Sequence, residues 1–410
     1  MPATKMTDSR KPGIQKQTVA FRVLHALRDG WLIVGIALLL LLGLEAAYRG
    51  QAAARRLLRG MTANEESILE HPYASESWYG LWERREGARG GGIEYDPYRG
   101  WWAEPYEFPL VNVDSAGHRV TPQPRRAGAA PTRRLVMLGG STMWGYTARD
   151  SFTIPALVAE RLEADGIPDV EVVNLAQPAY TLTQGLITLL LDLRAGVVPD
   201  AAVFLDGNNE IATTFESGEA GRVLGERLAE ERLRLGGRGM GAELLGLTRH
   251  SELIGRVLPI SDRERTEQSW ANPEPERVCD DVAAYYRRLV AMGEALGREF
   301  GFSVHFFWQP LRATTGKPLT AWEAAAGAPA EYGVLLRRCT AAVDSVMADR
   351  RERTYFPLHA LFDEDTATVF LDDFGHVTER ANGIIADEIL RRVGPILGRP
   401  TDRHSSTSGR

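Results

Sequence analysis

The sequence is poor in cysteine and in clustered metal ligands. Its two cysteines, Cys279 and Cys339, lie far apart and belong to no Cys-x-x-Cys or Cys/His cluster. The pattern therefore indicates neither a disulfide framework nor a zinc site. No group of Asp and His residues has the spacing of metal ligands either. We expect no metal and no other cofactor.

An excess of positive charge is also missing. Lys and Arg number 48 against 54 Asp and Glu, which gives a net charge of -6, and the arginines are scattered among acidic residues. Because no basic surface is indicated, a nucleic acid partner is not expected. The 410 residues, 44% apolar and 25% charged, are ordinary for a globular protein and sufficient to bury a large core.

One long apolar run stands out, "WLIVGIALLLLLGLEAAY" at residues 31–48. Its uncharged part, Trp31 to Leu44, is shorter than the roughly 20 residues of a membrane span, but Glu45 can snorkel from the boundary. A cleaved signal peptide is the alternative. The polar tail of residues 1–30 is long for an n-region, and the A-x-A-like site at Ala52 to Ala54 lies well beyond the run. We expect a single uncleaved transmembrane helix, whose orientation the flanking charges leave open.

Residues 49–130 are rich in aromatics and glycine, and we interpret them as a juxtamembrane collar and linker. The tryptophans of this segment are costly to leave in water, so they are expected to pack on the following domain; they are Trp78, Trp82, Trp101 and Trp102. The alternative is that these rings line a substrate groove. "TPQPRRAGAAPT" at residues 121–132 is typical of a linker, and residues 397–410 are expected to form a disordered tail.

From residue 131 to about residue 396, strand patterns alternate with helix patterns. The apolar runs "RLVMLGG", "VEVVNLA", "AAVFLDG" and "SVHFFWQ" are typical of strands buried on both faces, and the helical stretches between them close with glycine. This alternation predicts an α/β fold with three α/β/α layers around a mostly parallel sheet. Residues 208–277, which include the charged "GERLAEERLRLGGRG", are predicted to be a helical insertion.

Polar residues with complementary chemistry follow several of these strands. Ser141 follows the first strand, Asn209 follows the third, and His376 comes three residues after Asp373, just before a helix. The carboxyl ends of parallel strands meet at one edge of a sheet, where ligands bind. A hydroxyl, an imidazole, a carboxylate and an amide at one edge are the groups needed for acyl transfer through a covalent intermediate.

Four short blocks in this region resemble the SGNH (GDSL-like) hydrolase superfamily. They are "GGST", "NLAQPAY", "DGNNE" and "DDFGH", in the family's order. The resemblance implies a flavodoxin-like sheet and a serine esterase activity. "YDPYRGWW" and "VNVDSAGHR", behind an apolar segment, are similar to the lead-in of bacterial membrane-anchored members. That similarity implies a single-pass protein of the cell inner membrane with its catalytic domain outside the cytoplasm.

The expected catalytic residues are Ser141, His376 and Asp373. The His376 imidazole is the expected base that takes and returns the Ser141 proton, and a carboxylate fixes the imidazole tautomer. Asp372 stands beside Asp373, but the D-x-x-H spacing favours Asp373. A helix cap is the structural alternative for Ser141. A phosphate loop is disfavoured because Tyr146 occupies the position of the required Lys.

The expected oxyanion donors are the backbone N–H groups of Ser141 and Ala176 and the side-chain amide of Asn209. Gly140 stands where the family usually has Asp, and Ala176 where it usually has Gly. A methyl group at residue 176 keeps the backbone donor unless the site requires a left-handed conformation, which costs roughly 1–2 kcal/mol.

Two further residues, Gly207 and Gln309, are expected to shape the substrate pocket. His305, inside the fourth strand, is interpreted as a hydrogen-bonded core histidine.

The sequence thus predicts a membrane-anchored serine esterase that cleaves an ester-linked acyl group, with O-acetyl groups on carbohydrate as the favoured substrate. An O-acyltransferase acting on envelope polysaccharide would use the same residues. A non-catalytic scaffold or binding module is the other alternative, and the departures at Gly140 and Ala176 motivate it.

Overall fold

A computed structural model of the chain describes residues 70–86, 92–123, 132–223, 274–326 and 329–398, with scattered positions between 25 and 36. By internal contacts the chain divides into a first unit, Met1–Ile68 with Leu235–Asp262, and a second, Leu69–Arg234 with Arg263–Arg410. In the first unit the described positions are helical.

Most of the apolar segment 31–48 lies outside the described residues, as do nearly all of the tail 1–30 and residues 399–410. Among the positions that the structure does describe, no helix combines the length and apolar character of a bilayer span.

The second unit contains seven strands and nine helices within its described residues. The strands are β1 (Ile93–Asp96), β2 (Gly100–Ala103), β3 (Arg133–Gly139), β4 (Val170–Asn174), β5 (Ala201–Asp206), β6 (Ser303–Trp308) and β7 (Tyr355–Pro357). The helices are α1 (Tyr79–Glu86), α2 (Ser141–Trp144), α3 (Ile154–Ala164), α4 (Leu182–Arg194), α5 (Asn208–Ser217), α6 (Pro275–Phe300), α7 (Ala321–Ala325), α8 (Ala330–Val346) and α9 (Glu379–Val393).

The central sheet has five strands in the order β4-β3-β5-β6-β7, and every pairing is parallel. The four apolar runs form its first four strands, so the predicted α/β fold with a parallel sheet is confirmed. The order is that of doubly wound flavodoxin-like sheets, in which ligands bind at the carboxyl edge. β7, three residues at the edge beside β6, was not predicted because its apolar run is too short to show a period.

Helices cover both faces of the sheet and bury it. Along β5 successive side chains point to opposite sides, so Val203 and Leu205 face α3 and α9 while Phe204 faces α4, α6 and α8. All six residues of β5 are buried. Each large apolar side chain removed from water in this way contributes roughly 1.5–3 kcal/mol.

A disulfide joins Cys279 on α6 to Cys339 on α8. The sequence pattern indicated no disulfide framework, and this single bond was not predicted from it. The two helices pack against each other on one face of the sheet, with β6 lying between them in the sequence. This packing brings the two cysteines together, but their spacing in the sequence does not show it.

The structure describes the two ends of the predicted helical insertion, residues 208–277. Residues 208–217 form α5, and residue 275 begins α6; both helices pack on the sheet and belong to the fold. Residues 224–273, the remainder of the predicted insertion, lie outside the described part of the chain.

The predicted linker at 121–132 begins with an anchored residue. The Gln123 side-chain amide donates to the Val172 carbonyl at 2.7 Å and accepts from the Val172 N–H at 2.9 Å. Gln123 thereby satisfies backbone groups at the exposed edge of β4, which would otherwise remain unpaired. Residues 124–131 lie outside the described residues.

Candidate active site

Ser141 stands at the sheet edge where β3 ends. It is the first residue of α2 and follows Gly139 and Gly140 directly. At this position the backbone N–H of a helix has no partner within the helix. The sharp strand-to-helix turn therefore presents the hydroxyl and a backbone donor on the same edge.

His376 reaches Ser141 across the edge of the sheet. The imidazole Nε2 lies 2.7 Å from the Ser141 Oγ, although 235 residues separate them in the chain. His376 is 8% exposed. Its ring stacks on Tyr146, with centroids 4.9 Å apart and planes inclined by 27°. The structure thus brings together the predicted nucleophile and base at hydrogen-bond distance.

The carboxylate that contacts the imidazole is Asp372, so the assignment of Asp373 was wrong. His376 Nδ1 lies 2.5 Å from Asp372 Oδ2. The other carboxylate oxygen, Oδ1, accepts the backbone N–H groups of Phe374 at 2.9 Å and His376 at 3.2 Å. The chain therefore wraps around Asp372 in a loop, with Gly375 at a positive φ of 85°. The D-x-x-H spacing assumes a single helical turn, which this loop does not form.

Asp373 points away from the imidazole toward Arg312. The Arg312 Nε donates to Asp373 Oδ1, and Arg312 Nη1 donates to the Glu323 carbonyl at 3.1 Å. Burial raises the pKa of Asp373, and the neighbouring Arg312 opposes that rise. Asp373 therefore anchors the loop that carries Asp372 and His376.

Asn209, the predicted side-chain oxyanion donor, lies next to Gly140, the residue before Ser141. Its Nδ2 donates to the Tyr180 carbonyl at 2.7 Å. A side-chain amide has two N–H donors, and this contact uses one of them. A Cβ built on Gly140 would lie 2.4 Å from the same Nδ2. The close approach of Asn209 thus explains why residue 140 is a glycine.

The Ala176 N–H has a different partner from the one predicted. It donates to the Asn174 Oδ1 at 3.2 Å, because the Asn174 side chain folds back over the end of β4. Residue 176 does not have a positive φ, so the methyl group there causes no strain. The residue of this segment with a positive φ is Ala179, at 63° in the Gln177–Tyr180 turn.

The two predicted pocket residues, Gly207 and Gln309, make internal contacts. The Gly207 N–H donates to Glu210 Oε2 at 2.8 Å. Gln309 is 4% exposed, and its Nε2 donates to the Phe374 carbonyl at 3.2 Å. Gln309 therefore supports the loop that carries Asp372 and His376. That these residues shape a substrate pocket stays a prediction.

His305 is buried in β6 but is not hydrogen-bonded, contrary to the prediction. Neither ring nitrogen has a partner within the described part of the chain. The ring stacks on Phe356 at 5.8 Å. Burial lowers the pKa of His305 to about 4, so the ring is neutral in the native state near pH 7.

An acidic pair that sequence reasoning missed, Asp206 and Glu210, lies at the junction of β5 and α5, on either side of Asn209 in the sequence. Glu210 Oε1 accepts the N–H of Leu182 at 2.7 Å, and its Oε2 holds Gly207. Burial, together with the nearby Glu210, raises the pKa of Asp206 well above its usual value. Glu210 thereby ties the starts of α4 and α5 together. An Asp at the end of the apolar run "AAVFLDG" was the available signal.

Across the described ranges, no group of three His, Cys, Asp or Glu side chains lies close enough to hold a metal ion. The contacts at this edge are those of a hydroxyl nucleophile with an imidazole base and a carboxylate.

The solved structures to which the chain is similar include the three described below. No family model and no curated protein matches the chain. An acetyl xylan esterase, AlAXEase, is 11% identical with a TM-score of 0.36, covering 63% of this chain and 99% of its own. TesA is 14% identical with a TM-score of 0.35, covering 64% and 99%. The acetylxylan esterase Axe2 of Geobacillus stearothermophilus is 15% identical with a TM-score of 0.37, covering 67% and 98%. At these values the similarities carry no conclusion about the activity of this chain.

Proposed function

We propose that this protein is a serine esterase of the SGNH type, which cleaves an ester-linked acyl group through an acyl-enzyme. The observation that carries the proposal is the chain of contacts from Ser141 Oγ to His376 Nε2 at 2.7 Å and from His376 Nδ1 to Asp372 at 2.5 Å. This is the geometry by which an imidazole activates a hydroxyl.

The reaction begins when Ser141 Oγ attacks the ester carbonyl and transfers its proton to His376 Nε2. Asp372 accepts the Nδ1–H, which fixes the tautomer and stabilises the imidazolium. His376 then returns the proton to the departing alcohol, leaving the acyl group on Ser141 Oγ. Water then attacks the acyl carbonyl and gives a proton to the same nitrogen. The bond between the acyl group and Ser141 Oγ breaks, the carboxylic acid leaves, and His376 returns the proton to Ser141 Oγ.

The negative charge that develops on the carbonyl oxygen requires donors near Ser141. The Ser141 backbone N–H, at the start of α2, supplies one. The second N–H of the Asn209 amide supplies another, because the first is bound to Tyr180. The Ala176 N–H is already bound to Asn174, so this oxyanion hole has two donors rather than the three predicted.

The proposed substrate is an O-acetyl group on carbohydrate outside the cytoplasm. The disulfide between Cys279 and Cys339 supports an oxidising compartment, since such bonds are rare in the cytosol. The resemblance to membrane-anchored hydrolases supports the same location. We extend the proposal accordingly to a single-pass inner membrane protein, anchored by residues 31–48.

Hydrolysis of p-nitrophenyl acetate and of a peracetylated sugar by the purified full-length protein tests the proposal. Acetate release by the wild type and its loss in Ser141→Ala support a serine esterase. Addition of a free sugar acceptor separates esterase from transferase, because a transferase forms acetylated sugar at the expense of acetate. A folded wild-type protein that releases no acetate and acetylates no sugar overturns the proposal in favour of a binding module.

A further inference from the structure

Arg119, from the collar that precedes the sheet, is buried to 1% exposure although it carries a full charge. Each guanidinium nitrogen has a partner. Nε contacts Asp150 Oδ1 at 2.7 Å, Nη1 donates to the Gly145 carbonyl at 3.2 Å, and Nη2 donates to the Ala148 carbonyl at 2.8 Å. A buried cation is tolerated only with such complete pairing.

The two carbonyls that Arg119 binds lie in the loop directly after α2, the helix that Ser141 begins. Asn174, which pairs with the Arg119 backbone, covers the preceding two carbonyls. Its Nδ2 lies 3.3 Å from both the Met143 and the Trp144 carbonyl oxygens. The guanidinium also lies 4.4 Å from the centre of the Trp144 ring. The side chains of Arg119 and Asn174 thus hold residues 143–148, which follow Ser141.

The same segment also contacts the base. Tyr146 stacks on the His376 ring, and the Thr147 Oγ1 donates to the Val377 carbonyl at 2.9 Å. A displacement of residues 145–148 would therefore move Ser141 and the imidazole relative to each other. Alignment of reacting groups to within about 1 Å is worth roughly 100-fold in rate.

The partner of Arg119 is itself held by the collar. Asn112 donates to Asp150 twice, from its backbone N–H at 3.0 Å and from Nδ2 at 2.6 Å. The Asp150 N–H donates to the Leu110 carbonyl at 2.9 Å. Residues of the collar and residues 145–150, which follow α2, therefore belong to one hydrogen-bond network.

We propose that Arg119 is a positioning residue for catalysis, which fixes α2 and the loop after it so that Ser141 and His376 remain aligned. The proposal rests on the proposed esterase function. It also makes residues 92–123 of the collar part of the active-site unit, so that the catalytic unit begins before residue 131, the boundary expected from the sequence.

The test compares Arg119→Ala and Arg119→Lys with wild type in the full-length protein, using p-nitrophenyl acetate as substrate. Arg119→Ala is expected to lower kcat about 100-fold with KM unchanged. The kcat of Arg119→Lys is expected to lie between those of wild type and Arg119→Ala, because an ammonium group keeps the positive charge but lacks the planar, forked donor geometry of a guanidinium. Methylguanidinium, below concentrations that shift the unfolding midpoint, is expected to restore part of the kcat of Arg119→Ala.

Arg133→Ala is the matched control. Arg133 also forms an ion pair, with Asp169 at 2.6 Å, but at the amino end of β3, opposite Ser141. Its loss is expected to lower the unfolding midpoint without changing kcat. If Arg119→Ala does not fold, Arg119→Lys and the isosteric Asp150→Asn carry the test through the same kcat and KM measurements.

Folded Arg119 variants with wild-type kcat overturn the positioning role. So does a loss of kcat that tracks the unfolding midpoint equally in Arg119→Ala and Arg133→Ala. Neither result bears on the esterase proposal, which is overturned if the wild-type protein itself has no acyl-transfer activity.

Discussion

Replacement of His305 by Phe is expected to make the protein markedly less sensitive to acid. The His305 ring is 6% exposed, neither nitrogen is hydrogen-bonded within the described residues, and burial lowers its pKa from 6.5 to about 4. Over this pH range the His305 ring therefore stays neutral in the folded protein but is protonated in the unfolded chain. Between pH 6.5 and pH 4 the unfolded state binds more protons, so stability falls as the pH falls.

The size of the effect follows from the pKa difference. A shift from 6.5 to about 4, at 1.36 kcal/mol per unit, corresponds to about 3 kcal/mol of stability. The loss begins as the pH drops through 6.5, the pKa of the unfolded chain, and is complete below about 4. Several carboxylates titrate over part of the same range, but they do so equally in both proteins and cancel in the difference.

The assay is urea unfolding of wild type and His305→Phe at a series of pH values from neutral to acidic. Phe keeps an aromatic ring for the contact with Phe356. The difference in unfolding free energy is expected to grow in favour of the variant by about 3 kcal/mol as the pH falls, with equal m-values. Parallel pH dependences in the two proteins would refute the reasoning.

Three further predictions concern the site. Asp372→Asn is expected to lower kcat about 10⁴-fold, because it removes the carboxylate that fixes the imidazole tautomer. Asp373→Asn is expected to lower mainly the unfolding midpoint. Equal losses of kcat in the two variants would contradict the assignment of the carboxylates. Asn209→Ala is expected to lower kcat about 10²- to 10³-fold with little change in KM, and wild-type kcat would remove Asn209 from the oxyanion hole. Ala179→Gly is expected to stabilise the protein by about 1 kcal/mol in urea unfolding, because φ at this position is 63°; a destabilised variant would show that the turn is not strained.

The sheet and the location of the site could be predicted from sequence because both follow from local patterns. Strands buried on two faces give apolar runs, and chemistry at the carboxyl ends follows from the topology. Ser141, His376 and Asn209 were found this way. β7 was not predicted because a strand of three residues is too short to show an alternating pattern.

The choice between Asp372 and Asp373 could not be made from spacing. It depends on how the backbone turns between Asp372 and His376, and the hydrogen bonds from Phe374 and His376 to Asp372 fix that turn only in the folded chain. Spacing rules describe regular elements, and this loop is irregular.

Arg119 and the disulfide were missed for a related reason. The partners of Arg119 lie 26 to 31 residues away, and the two cysteines lie 60 residues apart. Such contacts arise from the packing of whole elements. An arginine at the end of a glycine-containing turn gives no local sign that it will be buried.

The most direct test of the central claim is mass-spectrometric mapping of the protein after treatment with a serine-directed fluorophosphonate. A stoichiometric adduct on Ser141 in the wild type, strongly reduced in His376→Ala and in Asp372→Asn, is the predicted result. An unmodified Ser141 in folded protein, or equal modification in all three proteins, would contradict the claim that this hydroxyl is activated by its imidazole and carboxylate neighbours.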